Sequence, residues 1–389
     1  MSSSFYDLFI QYEWDNVLSQ INSKTESDVL RVLNQRGSFV DGKFYPEINI
    51  EDRFDMDDFA TLISPAATPF IEAMAQLSQS FTRKRFGNTI QLYAPLYLSN
   101  ECTNICTYCG FSVENKIPRK TLNSEEILRE VEVLKTMGVD HVLLVTGEAK
   151  GVVDVPYFKK AIELIRPWFS NISIEVQPLE QEEYQELRDV GVHAVMVYQE
   201  TYHQSEYKKH HPKGKKSIFK YRLETPDRLG RSQIHKVGLG VLFGLEDWRV
   251  DSFYTALHLE YLEREYWQTK YSISFPRLRP HAGGLEPKVE MSDRDLAQLI
   301  FAWRIFKEEI DISLSTREAP LFRDHMSSLG VTTMSAGSKT NPGGYAEGEE
   351  TSLEQFSIHD DRSPQELASY LQTKDLAPVW KDWDMAYDP

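Results

Sequence analysis

The sequence is poor in cysteine and in basic residues, and it lacks long apolar runs. Its three cysteines among 389 residues are too few, and odd in number, for a disulfide framework, which indicates a reducing compartment such as the cytoplasm. Lys and Arg total 43 against 59 Asp and Glu, and the formal net charge of -16 disfavours nonspecific nucleic-acid binding. No segment approaches the length of a membrane span, and the first residues do not form a signal-peptide pattern. We therefore expect a soluble, cytoplasmic protein that binds neither membranes nor nucleic acid.

All three cysteines lie in the stretch Cys102 to Cys109, at the spacing C-x3-C-x2-C. Three thiolates on one short loop can face one metal centre, but they cannot complete a four-coordinate site. A structural zinc site is nearly always closed by four side chains, so a histidine such as His141 would have to complete it. The alternative is a 4Fe–4S cluster with one iron open to an outside ligand, as in the radical chemistry of S-adenosylmethionine (SAM). The spacing, with Tyr108 before the last cysteine, resembles the cluster loop of the radical SAM enzymes, and we favour that reading.

Downstream of residue 89, short apolar runs alternate with amphipathic segments of helical period. This alternation is typical of repeated βα units and a parallel sheet. The predicted strands are Thr89–Leu98, His141–Thr146, Ser173–Val176, Ala194–Tyr198, Val237–Phe243, Tyr271–Phe275, Ile312–Ser315 and Thr332–Ala336. The predicted helices include Ser124–Met137, Tyr157–Trp168, Gln181–Val190, Asp251–Trp267 and Ser292–Ile310. Eight strands with intervening helices predict an α/β fold, a TIM-like (βα)8 barrel.

The remaining parts of the chain flank this barrel. Capping signals predict helices throughout residues 1–85, which we assign to an N-terminal helical extension. We assign residues 86–340 to the barrel and residues 341–389 to a C-terminal extension that packs on it. The extension begins with the glycine-rich stretch Asn341 to Tyr345, which is either an anion-binding nest or a simple turn.

Polar residues follow nearly every predicted strand. Because active sites of such barrels lie at the C-terminal ends of the strands, we expect a site at one mouth of the barrel. The strand-end segments are the cysteine loop, Thr146-Gly147-Glu148, Glu175-Val176-Gln177-Pro178, Tyr198-Gln199-Glu200-Thr201, Phe243-Gly244, Pro276-Arg277-Leu278-Arg279-Pro280 and Thr316-Arg317-Glu318.

Several runs together resemble one family. The cysteine loop, the TGE turn and the runs VMVYQETYH, YRLETPDRLG, SFPRLRP, LSTRE and VWKDWD are similar to those of the ThiH family, the radical SAM tyrosine lyases (2-iminoacetate synthases) of thiazole biosynthesis in the thiamine pathway. The resemblance extends from about residue 85 to near the C-terminus. It implies a radical SAM barrel that cleaves L-tyrosine at Cα–Cβ to 2-iminoacetate and p-cresol, while SAM is converted to methionine and 5'-deoxyadenosine.

The resemblance also implies roles for individual residues. Cys102, Cys106 and Cys109 would ligate three irons of a 4Fe–4S cluster, and SAM would chelate the fourth. The residues that would contact SAM are Tyr108, Thr146, Gly147, Glu148, Gln177, Glu200 and Arg222. The residues that would contact tyrosine are Arg277, Arg279, Arg317, Ser274 and Ser315, with one arginine holding the carboxylate. A flavodoxin or ferredoxin would supply the electron, and thiazole synthase would accept the product.

Three other functions compete with this one. The tyrosine lyases of hydrogenase maturation resemble this chain in the barrel, but they need a second cluster bound by C-terminal cysteines. No cysteine follows Cys109, which disfavours that function. A radical enzyme of deazaflavin cofactor assembly would consume tyrosine without forming p-cresol. A zinc-stabilised interaction protein would contain zinc in place of iron and sulfide.

Overall fold

Helices and one hairpin precede the barrel. The structure, a computed structural model, describes residues 4–48, 53–348 and 351–380. The elements before the barrel are α1 (Phe5–Phe9), α2 (Trp14–Asn22), α3 (Glu26–Leu33), β1 (Gly37–Val40), β2 (Lys43–Pro46), α4 (Met56–Leu62), a 3-10 helix (Pro65–Phe70) and α5 (Ile71–Phe86). The predicted capping signals are present: Thr25 accepts a hydrogen bond from the backbone N–H of Asp28 at α3, and Asp55 accepts one from Asp57 at 2.8 Å at α4.

The hairpin of β1 and β2 corrects the prediction that this part is entirely helical. The two strands pair antiparallel, and Asp41 and Gly42 form the turn between them with φ of 49° and 76°. Two positive φ values are what a type I′ hairpin turn requires, and Asp-Gly is one of its preferred sequences. The dipeptide was therefore a readable signal for the hairpin.

The eight predicted strands are all present and close into a parallel barrel. They are β3 (Thr89–Ser99), β4 (His141–Thr146), β5 (Asn171–Glu175), β6 (Ala194–Met196), β7 (Lys236–Gly240), β8 (Lys270–Ser274), β9 (Asp311–Leu314) and β10 (Thr333–Ser335). Each strand pairs with the next one along the chain, and β10 closes the barrel on β3 through the pair Thr333 and Gln91. The predicted (βα)8 barrel is thus confirmed.

Helices cover the outside of the barrel. They are α6 (Ser124–Thr136), α7 (Val155–Ile165), α8 (Gln181–Asp189), α9 (Gln204–His210), a 3-10 helix (Lys215–Ser217), α10 (Phe219–Leu223), α11 (Thr225–Arg231), α12 (Trp248–Glu265), α13 (Asp293–Phe306) and α14 (Pro320–Met326). The N-terminal elements pack on this layer, where the buried ring of Phe5 stacks on His258 of α12 at 3.7 Å. Among the described helices, none has both the length and the apolar composition needed to cross a membrane.

The chain returns to the barrel after β10. A 3-10 helix (Thr351–Leu353), α15 (Pro364–Thr373) and β11 (Ala377–Val379) follow, and β11 pairs parallel with the start of β3. Residues 381–384 of the closing VWKDWD run lie outside the described residues. A buried ion pair fixes the return, because Asp360 binds Arg323 of α14, and both side chains are at most 1% exposed.

The glycine-rich stretch after the barrel binds a carboxylate of the chain itself. The backbone N–H groups of Tyr345 and Ala346 donate to the side chain of Glu130 on α6, at 3.2 and 2.6 Å. The stretch therefore acts as an anion-binding turn, and its anion is Glu130.

Candidate active site

One cavity opens at the mouth of the barrel, at the C-terminal ends of the strands. It brings together the cysteine loop and the polar residues that follow most of the other strands. Its chemically capable lining residues include Tyr93, Tyr97, Cys102, Asn104, Cys106, Tyr108, Cys109, Thr146, Gly147, Glu148, Glu175, Tyr198, Glu200, Lys216, Arg222, Ser274, Ser315, Arg317, Ser335 and Gln355. A cavity therefore lies at the barrel mouth, where the sequence predicts the site.

The cysteine loop follows β3 directly and is held by backbone hydrogen bonds to three other segments. Thr103 donates to Glu148, Ile105 donates to Lys213, and Gly110 donates to Gln355, at 2.9, 3.1 and 3.0 Å. The loop position is therefore set by the loops after two other strands and by the chain after the barrel.

The three thiols are largely enclosed by protein. Burial raises the pKa of each, to about 11 for Cys109, so the thiols are neutral at pH 7 unless a metal binds them. A bound metal deprotonates a coordinating thiol outright. The loop is thus suited to metal-dependent assembly and not to a free nucleophilic thiolate.

The donor set does not suit a single zinc ion. Two sulfurs on one zinc lie no more than about 4.6 Å apart, since each Zn–S bond is about 2.3 Å long. The cysteine sulfurs are not among the groups of ligand atoms in the described residues that all lie within 4.8 Å of one another. His141, the histidine proposed to complete a zinc site, begins β4 at the opposite end of the barrel and contacts Ser173 at 2.8 Å. The zinc alternative with His141 is therefore wrong.

A second cluster of potential ligands holds a cationic side chain already. His203, Glu206 and Glu246 bring their ligand atoms within 4.8 Å of one another. The ammonium group of Lys288 lies 2.6 Å from the carboxylate of Glu246 and 3.6 Å from that of Glu206. This cluster is an ion-pair network, and its residues are not among those that line the cavity.

The turn Thr146-Gly147-Glu148 contacts the cysteine loop on one side. A side chain at Gly147 would collide with the carbonyl oxygen of Glu101, so glycine is required for this close approach. The carboxylate of Glu148 accepts hydrogen bonds from Asn104 at 2.7 Å and from Arg222 at 3.1 Å. Thr146 ends β4 with a buried side chain.

Glu200 and two buried cations form the neighbouring part of the wall. Lys216 donates to the Glu200 carboxylate at 2.7 Å, and Arg222 lies 3.3 Å from it. Burial opposes ionisation, but these two positive charges outweigh it and lower the pKa of Glu200. The backbone of Glu200 has φ of 71°, a strained value for a non-glycine residue and one that occurs most often at functional sites.

Tyr108 is fixed by the segment between β6 and β7. Its hydroxyl contacts Nε2 of His211 at 2.5 Å, and the ammonium group of Lys216 lies 5.5 Å from its ring centroid. The ring lines the cavity beside Cys106.

Arg317 is the predicted substrate-binding arginine that lines the cavity. Its guanidinium lies 3.4 Å from the ring centroid of Phe356, and burial lowers its pKa. Ser274 and Ser315 line the same part of the cavity. The walls around them carry the rings of Tyr93, Tyr97 and Tyr198, so this part combines one cation with aromatic surface.

Three predicted site residues are not among the residues that line the cavity. Arg277 is engaged by Glu318, by Asp293 at 2.7 Å and by the carbonyl oxygen of Met291. Arg279 lies outside the lining, and its backbone carbonyl contacts His281. Gln177 donates its side-chain amide to Val153 at 2.7 Å. Strand-end position alone did not reveal which way these side chains point.

Glu175, Lys216 and Gln355 are among the lining residues that the sequence analysis did not assign to the site. Glu175 lies in a predicted strand-end segment, two residues before Gln177. Side chains alternate between the two faces of a strand, so Glu175 could have been assigned to the inner face only if the last inward-facing residue of β5 had been known. Lys216 lies in the 3-10 helix Lys215–Ser217 and Gln355 lies on a loop. Both are distant in sequence from the cysteines, and the sequence around them carries no signal of their position in the cavity.

Comparison with known proteins agrees with this geometry. Residues 96–257 match the radical SAM superfamily, and residues 274–377 match the biotin and thiamin synthesis associated domain. A barrel of this kind with a three-cysteine loop at its mouth defines a radical SAM enzyme, a class that uses a 4Fe–4S cluster and SAM.

Two curated relatives and one crystal structure narrow the class. The chain is 50% identical to the 2-iminoacetate synthases of Escherichia coli K12 and Salmonella typhimurium LT2, over 98% of this chain and 97% of each relative. The chain belongs to the 2-iminoacetate synthase family. The crystal structure of HydG, a maturase of the FeFe hydrogenase, superposes with a TM-score of 0.87 at 30% identity, covering 96% of this chain and 81% of HydG.

Proposed function

We propose that the protein is a radical SAM lyase that cleaves L-tyrosine at Cα–Cβ to 2-iminoacetate and p-cresol, for the thiazole branch of thiamine biosynthesis. The observation that carries this function is that one cavity is lined by the three cysteines, by several tyrosine rings and by the partly buried Arg317. The relatives that share half of the residues over nearly the whole chain support the same activity.

Cys102, Cys106 and Cys109 are the proposed ligands of three irons of the cluster. They supply three thiolates and no fourth protein ligand, which leaves one iron for SAM. When bound, the cluster and SAM would supply hydrogen-abstraction chemistry directed at the tyrosine amino group. The protein holds the reacting groups together and excludes water from them.

The acidic and basic residues beside the loop are the proposed contacts of SAM. Glu148 and the TGE turn offer acceptors to the SAM amino group, and Glu200 offers acceptors to the ribose hydroxyls. Arg222 offers a two-pronged donor to the SAM carboxylate. Arg222 binds Glu148 and Glu200, so SAM would enter a preformed set of opposite charges. Tyr108 is the proposed ring beside the adenine.

Tyrosine is proposed to occupy the other half of the cavity. Arg317 binds its carboxylate, and the tyrosine rings of the wall contact its phenol ring. Arg317 is chosen over Arg277 because Arg277 is already paired with Glu318 and Asp293. Ser274 and Ser315 offer hydroxyl groups to the substrate.

Two protein partners and a location complete the proposal. A flavodoxin or ferredoxin supplies the electron that radical SAM chemistry requires, and thiazole synthase receives 2-iminoacetate. Free cysteines at the cluster loop are consistent with the reducing cytoplasm.

The deciding experiment is anaerobic reconstitution with iron and sulfide, followed by addition of SAM, L-tyrosine and a reductant. We expect p-cresol and 5'-deoxyadenosine together, detected by chromatography with mass spectrometry. Formation of 5'-deoxyadenosine without p-cresol would remove the lyase assignment and leave the radical SAM class intact. Co-purification under anaerobic conditions tests the complex with thiazole synthase.

A further inference from the structure

Three carboxylates line the cavity, and they differ in their partners. Glu148 binds Arg222 at 3.1 Å, and Glu200 binds Lys216 at 2.7 Å. Among the residues that the structure describes, Glu175 forms no ion pair within 4.0 Å and no side-chain hydrogen bond. Glu175 ends β5 and lines the cavity. An enclosed carboxylate without a partner is costly, which indicates that a ligand completes it.

Arg317 is the positively charged counterpart of Glu175, and it also lacks an ion-pair partner among the described residues. It lies at the end of β9, and in the described part of the chain it has no carboxylate within 4.0 Å. The charges of Glu175 and Arg317 nevertheless influence each other, since each shifts the pKa of the other. The two opposite charges are therefore close enough to interact through the cavity but too far apart to form an ion pair.

A zwitterion fits between two such charges. The ammonium and carboxylate groups of an α-amino acid are attached to one carbon atom, so a single ligand can pair with both residues. The lining also includes the rings of Tyr97 and Tyr198 and the side chain of Met196, which suit the side chain of an aromatic amino acid.

We propose that Glu175 binds the ammonium group of the substrate and thereby selects a free α-amino acid. The inference rests on the proposed function, because it takes tyrosine as the ligand and Arg317 as the residue that binds its carboxylate. Glu175 is a positioning and specificity residue in this arrangement: it orients the amino group relative to the cofactor half of the cavity.

The phenol hydroxyl is the other group that Glu175 could bind. The ammonium group is favoured because it neutralises the enclosed carboxylate, whereas a phenol leaves a net negative charge. Burial raises the pKa of Glu175 to about 7, and the charge of Glu200 adds to this, while Arg317, Lys216 and Arg222 oppose it. A bound ammonium group would lower that pKa again.

Three ligands separate the two possibilities. L-Tyrosine carries the ammonium, carboxylate and phenol groups, L-phenylalanine lacks the hydroxyl, and 3-(4-hydroxyphenyl)propanoate lacks the ammonium. Dissociation constants are measured by calorimetry on cluster-reconstituted enzyme with SAM and without reductant, so that no turnover occurs. The variants are Glu175→Gln, Arg317→Gln and the control Glu182→Gln, at an exposed position on α8.

We expect Glu175→Gln to weaken binding of tyrosine and phenylalanine about ten- to hundredfold, since a hydrogen bond to a charged group is lost. Binding of 3-(4-hydroxyphenyl)propanoate should be unchanged or tighter, because this ligand has no ammonium group. Arg317→Gln should weaken all three ligands, because all carry the carboxylate. Glu182→Gln should match the wild type for each ligand.

Two results would overturn the inference. Equal losses for tyrosine and for 3-(4-hydroxyphenyl)propanoate in Glu175→Gln would assign Glu175 to the phenol or to the fold, and unchanged tyrosine binding would exclude it from the substrate site. The SAM affinity and the circular dichroism spectrum of each variant show whether the site is intact. The variant Glu175→Asp keeps the negative charge, so it should bind tyrosine more tightly than Glu175→Gln. Wild-type p-cresol formation tests the proposed function separately: if it occurs while Glu175→Gln binds normally, the inference alone fails.

Discussion

The side-chain amide nitrogen of Gln355 lies 3.7 Å from Sγ of Cys109, a hydrogen bond from beyond the barrel to a proposed cluster ligand. The carbonyl oxygen of the same amide accepts a hydrogen bond from the hydroxyl of Tyr97 at 2.8 Å. Tyr97 lies on β3, the strand that leads into the cysteine loop. The amide is therefore oriented by its second partner, and its N–H groups point to the sulfur.

This contact predicts a redox effect. Hydrogen bonds to ligating sulfurs help to set the reduction potential of an iron–sulfur cluster, because they stabilise the more negative, reduced state. Gln355→Ala should make the potential more negative while iron content stays near that of the wild type. A redox titration followed by electron paramagnetic resonance measures this. The control is Gln372→Ala, at an exposed position on α15; equal potentials for both variants would remove the assigned role of Gln355.

Each cysteine should be individually essential. Cys102→Ala, Cys106→Ala and Cys109→Ala should each lower the iron content after reconstitution and abolish both 5'-deoxyadenosine and p-cresol, because the donor set offers no spare thiol. Iron analysis and product chromatography provide the measurements. SAM cleavage that persists in Cys106→Ala would contradict its role as a ligand.

Replacing Arg317 should affect substrate binding, whereas replacing Arg277 should affect the stability of the fold. Arg317→Ala should weaken tyrosine binding about tenfold or more, since it removes a charged hydrogen bond to the substrate. Arg277→Ala should leave tyrosine binding nearly unchanged and lower the free energy of unfolding by about 3 kcal/mol, because Glu318, whose side chain is 2% exposed, loses its partner. Calorimetric binding and urea unfolding test the pair. Weak tyrosine binding in Arg277→Ala alone would reverse the assignment.

Glu175 should reduce the stability of the fold in a pH-dependent way. Burial raises the pKa of Glu175 from 4.5 to about 7, so the folded state favours the protonated carboxyl. Its stability contribution is therefore fully present below pH 4.5 and is lost as the pH rises through 7. Relative to the wild type, Glu175→Gln should gain roughly 3 kcal/mol in unfolding free energy at pH 8 and little at pH 4.5.

Urea unfolding of the substrate-free protein at several pH values measures that difference. Glu182→Gln, with an exposed side chain, serves as the control and should show no such pH dependence. A gain that is equal at low and high pH would show that Glu175 is not held in its protonated form by the fold.

Much of the fold was readable from the sequence because the barrel repeats one pattern. All eight strands lie where the apolar runs predicted them, and β4 has the predicted bounds His141–Thr146. The hairpin at Asp41 and Gly42 was missed because the capping signals on either side suggested continuous helix. The strand β11 was missed because its short sequence does not by itself predict a strand. These residues form a strand because they pair with β3. The division into domains at residues 85 and 340 stays a prediction.

The site was readable only in part. The cysteine spacing is local, so one loop was enough to predict a metal centre. Side-chain direction is not local: Arg277 and Arg317 both follow strands, but Glu318 draws Arg277 away from the cavity while Arg317 packs on Phe356 within it. Glu175 and Gln177 show the same difference, because Glu175 lines the cavity whereas Gln177 donates to Val153. Which of the two faces inward depends on where the strand ends.

The pairing of β3 has a consequence for the order of folding. The strand that leads into the cysteine loop gains its partners β10 and β11 only when Thr333 and Ala377 reach Gln91 and Thr89. Contacts so distant in sequence form slowly, because the intervening chain must first be ordered. During synthesis, the cysteine loop emerges long before its strand can be enclosed. The protein must therefore keep the three thiols that we propose as cluster ligands reduced on an open sheet edge until the last strands arrive.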